Sequence, residues 1–308
     1  MTLEQYYKNL SVPAGAVDVV LDTDAYNEID DQFAICYLLK SEYKLRVKGI
    51  CAAPFLNKRS ESAADGMRKS YEEILRLLKL AGREELTEIV HSGSESYLPD
   101  ETTPVKSEAA EFMAKLADRY SPENPLYIIA IGAITNVASA FLLNPNMKEN
   151  CVVVWLGGHA PHIPLPVSEF NMRQDIAAAR VVLGCGVPVV QLPCKGVVDR
   201  FSTNKYELIH WLQGKNPLCD YLCENTIRFA ENKIKLGTWS KPIWDVVAVA
   251  WLLNEDSVFM KDRLVPSPLP EYDKHYARDD FRHLICRVYE VNRDALFADL
   301  FRVLGEEK

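Results

Sequence analysis

The 308-residue sequence predicts an α/β fold, a single domain with a mostly parallel, doubly wound central sheet and a helix-rich C-terminal part. Short apolar segments alternate with amphipathic helical segments between residues 17 and 193. Such alternation is typical of parallel strands with helices on both faces of the sheet. No internal repeat and no linker rich in Pro, Gly or Ser divides the chain, so we expect one domain over residues 1–308.

The predicted strands are apolar runs, in chain order VDVVLD, LRVKGICAA, EIVHSG, LYIIAIG, CVVVWLGG and VPVVQLP. The helical segments between them are DQFAICYLLK, SAADGMRKSYEEILRLLKLAG, SEAAEFMAKLADRY, NVASAFLLN and DIAAARVVLGCG. After Cys194 the helical segments are NKYELIHWLQ, PLCDYLCENTIRFAENKIK and WDVVAVAWLL, followed by a strand FRHLICRVYEV and a terminal helix DALFADLFRVLG. Prolines exclude a regular helix from residues 160–168, which predicts a loop over one sheet edge.

Composition argues against several classes of partner. The formal charge of −8 and the isoelectric point near 5.4 argue against a nucleic-acid-binding surface. No apolar run reaches membrane-spanning length and the N-terminus lacks a signal-peptide pattern, so we expect a cytoplasmic protein that acts on small molecules. The eight cysteines are too dilute for a disulfide framework, and Cys219 and Cys223 lack the partner pair that a zinc site needs.

A cluster of acids directly follows the first predicted strand. Asp22, Asp24, Asp30 and Asp31 lie within ten positions, and Glu28 adds a fifth carboxylate. Ligands bind beyond the carboxyl ends of strands in open α/β sheets. Like charges this close raise each other's pKa unless a hard divalent ion or a polar ligand compensates them, so we expect a metal or polar-ligand site. The alternative is a solvated loop in which Asp30 or Asp31 caps the helix that follows.

Polar groups follow other predicted strands, whose ends converge in a doubly wound sheet. They include Asn57, Ile131, Thr135, Asn136, Glu169, Asn171 and Asp245. Thr135 and Asn136 are alternatively N-caps of the next helix, and Asp245 is alternatively a first-turn acid of its helix. Glu169 and Asn171 are harder to explain as core residues.

These motifs together resemble the nucleoside hydrolase family, the calcium-dependent nucleoside N-ribohydrolases, in order over roughly residues 16 to 255. The matching motifs are the aspartate cluster, AIGAITN, VVVWLGG, Glu169-Phe170-Asn171 and Asp245. The resemblance implies a calcium ion held by Asp24, Asp31, Asp245 and the backbone carbonyl of Ile131. It also implies a substrate site formed by Asp30, Asn57, Glu169, Asn171 and Trp244, and a homo-oligomer, either a dimer or a tetramer.

The implied reaction is hydrolysis of the N-glycosidic bond of a ribonucleoside. Calcium accepts six to eight oxygen ligands in loose geometry, which suits a site assembled from several strand ends. Cleavage passes through an oxocarbenium-like state and needs an activated water, and Asp24 is the expected general base. The neighbouring carboxylates favour the positive charge that grows on the ribose ring.

The sequence departs from the family pattern near the expected substrate site. The loop AYNEI before Asp30 is two residues longer than the usual Pro-Gly turn, and IPLPVS lacks an asparagine expected before Glu169. The leaving-group histidine of many members is replaced by Trp244, as in the purine-preferring branch, where an aromatic stack on the base is thought to ease ring protonation. We therefore expect a purine preference, although Trp244 is alternatively a packing residue. His159 or His162 is a candidate for another acid.

Two other functions fit parts of the sequence. Asp22-Thr23-Asp24 after an apolar strand also matches a haloacid dehalogenase-type phosphatase with an aspartyl nucleophile, which leaves the later motifs unexplained. A non-catalytic ribose- or nucleoside-binding relative would retain the calcium site and lack turnover, and the missing histidine keeps this alternative open.

Overall fold

The computed structural model describes residues 1–306. The strands are β1 (Val17–Thr23), β2 (Leu45–Ala52), β3 (Val90–His91), β4 (Leu126–Ala130), β5 (Cys151–Leu156), β6 (Val189–Leu192), β7 (Ser202–Thr203), β8 (Lys241–Pro242), β9 (Met260–Pro266), β10 (Leu269–Pro270), β11 (Tyr276–Ala277) and β12 (Leu284–Val291). The α-helices are α1 (Leu3–Asn9), α2 (Asp31–Lys40), α3 (Ala63–Leu80), α4 (Glu108–Leu116), α5 (Thr135–Leu143), α6 (Met147–Asn150), α7 (Phe170–Gln174), α8 (Ile176–Gly184), α9 (Lys205–Trp211), α10 (Pro217–Lys233), α11 (Val246–Leu252) and α12 (Arg293–Gly305). Short 3-10 helices cover Glu84–Ile89, Ala117–Arg119, Pro166–Ser168, Val198–Arg200 and Glu255–Ser257.

Eight strands within residues 1–306 form the central sheet, in the order β3-β2-β1-β4-β5-β6-β12-β9. Every neighbouring pair is parallel except β12 and β9. The strand order reverses between β1 and β4, which is where open α/β sheets form a ligand-binding crevice. In the register, Thr23 pairs with Ala52 and Asp22 pairs with Ala130, so the carboxyl ends of three strands meet there.

Helices cover both faces of the sheet. Val19 and Leu21 pack into one core cluster with apolar residues of α2 and α11, whereas Val20 packs into a second cluster with α4, α5 and α8. This alternation along β1 is the period-two pattern of a strand that is buried on both faces. The predicted mostly parallel, doubly wound α/β fold is therefore confirmed.

The C-terminal part contains helices α9 to α12 and also contributes two strands to the central sheet. Strand β12 matches the predicted FRHLICRVYEV segment, but the antiparallel edge strand β9 was not predicted. Its sequence, MKDRLVP, carries three charged residues, which obscure the apolar signal and are typical of a protected sheet edge. Helices α1 and α7 were also missed because each spans less than two turns.

The strands of the sheet come from residues as distant as Val17 and Val291, which supports the proposal of one domain over 1–308. Residues 160–168 run as a loop with a short 3-10 turn, as the prolines predict. Among the helices of residues 1–306, none is long and apolar enough to cross a membrane. All eight cysteines are free thiols.

The contact between α3 and the segment after β2 is close enough to require glycine at position 66. A Cβ atom added to Gly66 would lie 2.0 Å from the carbonyl oxygen of Phe55, which precedes the candidate site residue Asn57 by two positions. Only a residue without a side chain allows the helix to approach that backbone.

Gly66→Ala should therefore destabilise the protein, although alanine favours a helix by about 1 kcal/mol over glycine. We expect a net loss of about 1–3 kcal/mol in the free energy of unfolding, the usual range for overpacking. Urea denaturation measures it. The matched control is Gly15→Ala, where nothing lies within 4 Å of the added Cβ. Equal stability of the two variants would show that α3 can move away from Phe55.

Candidate active site

A cavity of about 420 Å³ opens beyond the carboxyl ends of β1, β4 and β5. Seven of the nine residues expected in the calcium and substrate sites line it, namely Asp30, Asn57, Ile131, Glu169, Asn171, Trp244 and Asp245. Asp24 and Asp31 are buried and do not line it. The structure thus brings residues from five separate segments to one place, the strand-order reversal between β1 and β4.

The floor of the cavity is a cluster of buried carboxylates. One oxygen each from Asp30, Asp31 and Asp245 lies within 4.8 Å of the others. Thr23 at the end of β1 donates its hydroxyl to Asp31 Oδ1 at 2.5 Å. Burial and the neighbouring Asp30 raise the pKa of Asp31 to about 7. Burial, together with the charges of Asp30 and Asp31, raises the pKa of Asp245 well above its usual value.

Asp24 lies against this cluster, and both of its carboxylate oxygens are buried without a hydrogen-bond partner. Burial first, and then the charges of Asp31 and Asp30, raise the pKa of Asp24 well above its ordinary value. A buried carboxylate without any donor is costly unless a cation or a ligand compensates it. The donor set, oxygen atoms only and rich in negative charge, fits a hard divalent cation.

The carboxylates of Asp30 and Asp245 do not cap helices. Both residues occupy N-cap positions, of α2 and α11 respectively, but neither side chain accepts a capping hydrogen bond. Asp30 Oδ2 instead accepts the backbone N–H of Trp244 at 3.2 Å, which joins the starts of the two helices. Side-chain capping of α2 by Asp30 is therefore wrong, and Asp245 lies at the start of α11 without a capping hydrogen bond.

Thr135 and Asn136 are not N-caps either, because α5 begins after Ile134 and neither side chain caps it. Asn136 Nδ2 donates to Asp22 Oδ1 at 2.8 Å, and its Oδ1 accepts the N–H of Ser94 at 2.7 Å. Thr135 donates its hydroxyl to Asp175. Asn136 thus holds neighbouring strand ends together, whereas Thr135 joins the start of α5 to the start of α8.

A buried cation beside the acid cluster was missed by the sequence analysis. Lys241 Nζ lies 2.7 Å from Glu28 Oε2 and 3.5 Å from Asp30 Oδ1. Burial alone would lower the pKa of Lys241, but Asp30 and Glu28 raise it overall. Although burial opposes the change, Lys241 and Lys233 lower the pKa of Glu28 to about 2. The only sequence signal was a lysine close before Trp244-Asp245.

Glu169 and Asn171 also line the cavity. Glu169 caps α7 by accepting the N–H groups of Asn171 and Met172 at 2.9 Å, and it also accepts the N–H of Gly158 at 3.0 Å. Asn171 Nδ2 donates to the carbonyl oxygens of Ile131 and Leu156, at 3.1 and 3.0 Å. The carbonyl of Ile131 thus retains one of its two lone pairs for another partner.

Asn57 lines the cavity with its side chain already engaged. Its Nδ2 donates to Asn27 Oδ1 at 2.6 Å, and its Oδ1 accepts the N–H of Arg59 at 2.7 Å. Asn57 therefore holds the longer loop before Asp30 in place.

His159 lines the cavity, whereas His162 does not. His159 is buried, and its Nδ1 accepts the backbone N–H of Lys195 at 3.2 Å, so a neutral ring carries its proton on Nε2. Burial and the charge of Lys195 lower the pKa of His159 to about 4. At neutral pH this histidine is a neutral hydrogen-bond donor.

The chain is similar in sequence and in fold to known ribonucleoside hydrolases. Relatives include the "Pyrimidine-specific ribonucleoside hydrolase RihA" of Citrobacter koseri, 28% identical over 274 residues that cover 81% of this chain and 83% of the relative. Similar solved structures include the plant nucleoside hydrolase PpNRh1, with a TM-score of 0.75, 17% identity and coverage of 94% of this chain and 99% of that one. The purine-preferring ribonucleoside hydrolase from Gardnerella vaginalis has a TM-score of 0.73 and 18% identity, covering 94% and 98%.

These structural similarities, at low identity, concern the fold. The family itself follows from the sequence profile described as inosine-uridine preferring nucleoside hydrolase, which matches residues 19–289. The chain belongs to the inosine-uridine preferring nucleoside hydrolase family.

Proposed function

We propose that this nucleoside hydrolase cleaves the N-glycosidic bond of ribonucleosides, preferring purines, with a calcium ion held by Asp24, Asp31, Asp245 and the carbonyl of Ile131. The observation that carries the proposal is the Asp24 carboxylate, buried without a donor beside three further buried carboxylates. Lys241 supplies one positive charge to this group, which leaves an excess of negative charge for a divalent cation. Family membership decides against the phosphatase alternative.

Calcium suits these ligands because it accepts carboxylate and carbonyl oxygens in irregular arrangements. When bound, the cation supplies charge compensation and lowers the pKa of a water molecule that it holds. Asp30 is near enough to be a ligand, but its oxygens already face Lys241 and the N–H of Trp244, so we assign it to the ribose hydroxyls.

Asp24 is the proposed general base because its oxygens have no competing donors. It would accept a proton from the attacking water. Asp30, Glu169 and Asn171, with Asn57 at the rim, would bind the ribose hydroxyls. The surrounding carboxylates would stabilise positive charge on the ribose ring as the base leaves.

The proposed purine preference rests on Trp244. Its side chain is half-buried, packs against the core and lines the cavity, so it can both pack and stack on a base. An indole face favours a cationic purine ring by about 0.5–2 kcal/mol. The neutral His159 can donate a hydrogen bond but is too weakly basic to act as a protonated acid at neutral pH. We also propose a cytoplasmic enzyme that forms a dimer or tetramer.

The metal assignment predicts about one calcium ion per chain. Asp31→Ala should weaken calcium binding more than tenfold because it leaves an incomplete set of charged ligands. Elemental analysis and calorimetric titration measure this. Asp65→Asn, a change on the surface of α3, is the matched control and should bind calcium as the parent does. Unchanged affinity in Asp31→Ala would reject the ligand set.

Asp24→Asn should lower kcat about a hundredfold or more, the usual contribution of a general base. Release of base from inosine and uridine, followed by chromatography with and without chelator, measures turnover. Asp18→Asn changes the other end of the same strand and should keep parental activity. A folded Asp24→Asn protein that retains calcium and full turnover would place the base elsewhere, whereas parental protein that binds these ribosides without turnover would favour the non-catalytic alternative.

Trp244→Ala should reduce kcat/KM on inosine by roughly three- to thirtyfold, the rate equivalent of a lost cation–π contact. A riboside with an activated leaving group should be affected much less, because it leaves without ring protonation. Trp244→Phe should fall between the parent and Trp244→Ala on inosine. Trp211→Ala, on the exposed face of α9, controls for the loss of an indole. Equal losses on inosine, uridine and the activated riboside would make Trp244 a packing residue.

A further inference from the structure

Two cationic side chains that have no acidic partner among residues 1–306 stand at the mouth of the cavity. Arg173 and Lys195 both line the cavity and are exposed. In residues 1–306 neither forms an ion pair, although the chain carries a formal charge of −8. Lys233, a third cation of the lining, is already paired with Glu28 at 2.7 Å. Arg173 and Lys195 are therefore free to bind an anion.

Both cations lie on the Glu169 side of the cavity. Arg173 follows Asn171 by two residues in α7, and its guanidinium carbon lies 5.1 Å from the centroid of the Phe170 ring. Lys195 directly follows Cys194, which lines the cavity as well.

His159 adds a buried neutral donor to this wall. Only 8% of its surface is exposed, and the backbone N–H of Lys195 occupies Nδ1, so Nε2–H is the group left for a ligand. Glu169 accepts three backbone N–H groups and forms no salt bridge within residues 1–306. The lining thus contains two cations and one neutral donor, which are the kinds of group that bind a phosphate.

We propose that the substrate carries a phosphate ester on its ribose, which makes the preferred substrate a ribonucleoside 5′-phosphate. The inference rests on the proposed function. The vicinal 2′- and 3′-hydroxyls suit the oxygen-rich floor around Asp30, which leaves the 5′-oxygen as the ribose position that can carry a phosphate toward Arg173 and Lys195.

The reaction leaves the phosphate ester intact. Water forms a bond to C1′ and loses one proton to Asp24, while the bond between C1′ and the base nitrogen breaks. The base departs with the bonding electron pair and takes up one proton from solvent, and Asp24 returns its proton to solvent. The products are the free base and ribose 5-phosphate, so atoms and charge balance without a further reactant.

The test compares kcat/KM for inosine 5′-monophosphate with that for inosine, and for uridine 5′-monophosphate with uridine, at constant ionic strength. Chromatography must identify ribose 5-phosphate as the sugar product, which excludes prior removal of the phosphate. We expect the nucleotide to be preferred by about tenfold or more, consistent with charge-assisted hydrogen bonds to a phosphate. In the Arg173→Ala/Lys195→Ala protein the ratio of nucleotide to nucleoside kcat/KM should fall about tenfold or more. Lys148→Ala, an exposed lysine outside the cavity, should leave that ratio unchanged.

A binding experiment separates this inference from the proposed function. Ribose 5-phosphate should bind the parental protein at least about tenfold more tightly than ribose in calorimetric titration, and the double variant should lose that difference. Turnover of inosine with no preference for either phosphate-bearing compound overturns the inference and leaves the proposed function standing. Failure to turn over any of the four substrates, with tight binding of ribose 5-phosphate retained, overturns the proposed function and supports the phosphate site.

Discussion

The convergence of buried carboxylates at the carboxyl end of β1 is the constraint on which the site depends. Asp24, Asp31 and Asp245 are fully buried or nearly so, and each would raise the folding cost if its charge were left uncompensated. The protein provides partial compensation through Lys241 and the Thr23 hydroxyl. The negative charge that remains makes the stability of the folded protein depend on a cation at the aspartate cluster, because an ion that binds only the folded state stabilises it by mass action.

The backbone around the cluster allows the carboxylates to lie close to neighbouring strand ends. A Cβ atom on Gly132 would lie 3.2 Å from the Cβ and Cγ of Asp24, so glycine after β4 allows the strand end to approach the carboxylate. Asn136 ties Asp22 to the carbonyl of Ala52, which joins β1 to β2 from the helix behind them. The strand-order reversal between β1 and β4 leaves room for the cavity at the same point.

Much of this arrangement was accessible from the sequence, for physical reasons that differ between elements. Strand β1 and helix α2 were predicted because buried parallel strands are continuous apolar runs, whereas helices place apolar residues three to four positions apart. The acid cluster was predicted because carboxylates at one strand end need compensation. Lys241 was not, since its partner Glu28 is 213 positions away and no local pattern connects the two. The positions of His159 and Lys195 likewise depend on which loops meet in three dimensions.

The loop AYNEI before Asp30 links these observations. It carries Asn27 and Glu28, and these two side chains hold Asn57 on one side and Lys233 with Lys241 on the other. Through Glu28 the loop holds a buried cation beside the acid cluster. Positive charge lies at two places near the cavity. Lys233 and Lys241 pair with Glu28, whereas Arg173 and Lys195 form no ion pair within residues 1–306. A substrate that matches this lining carries hydroxyls for the carboxylates at the floor and an anionic group for the unpaired cations at the rim.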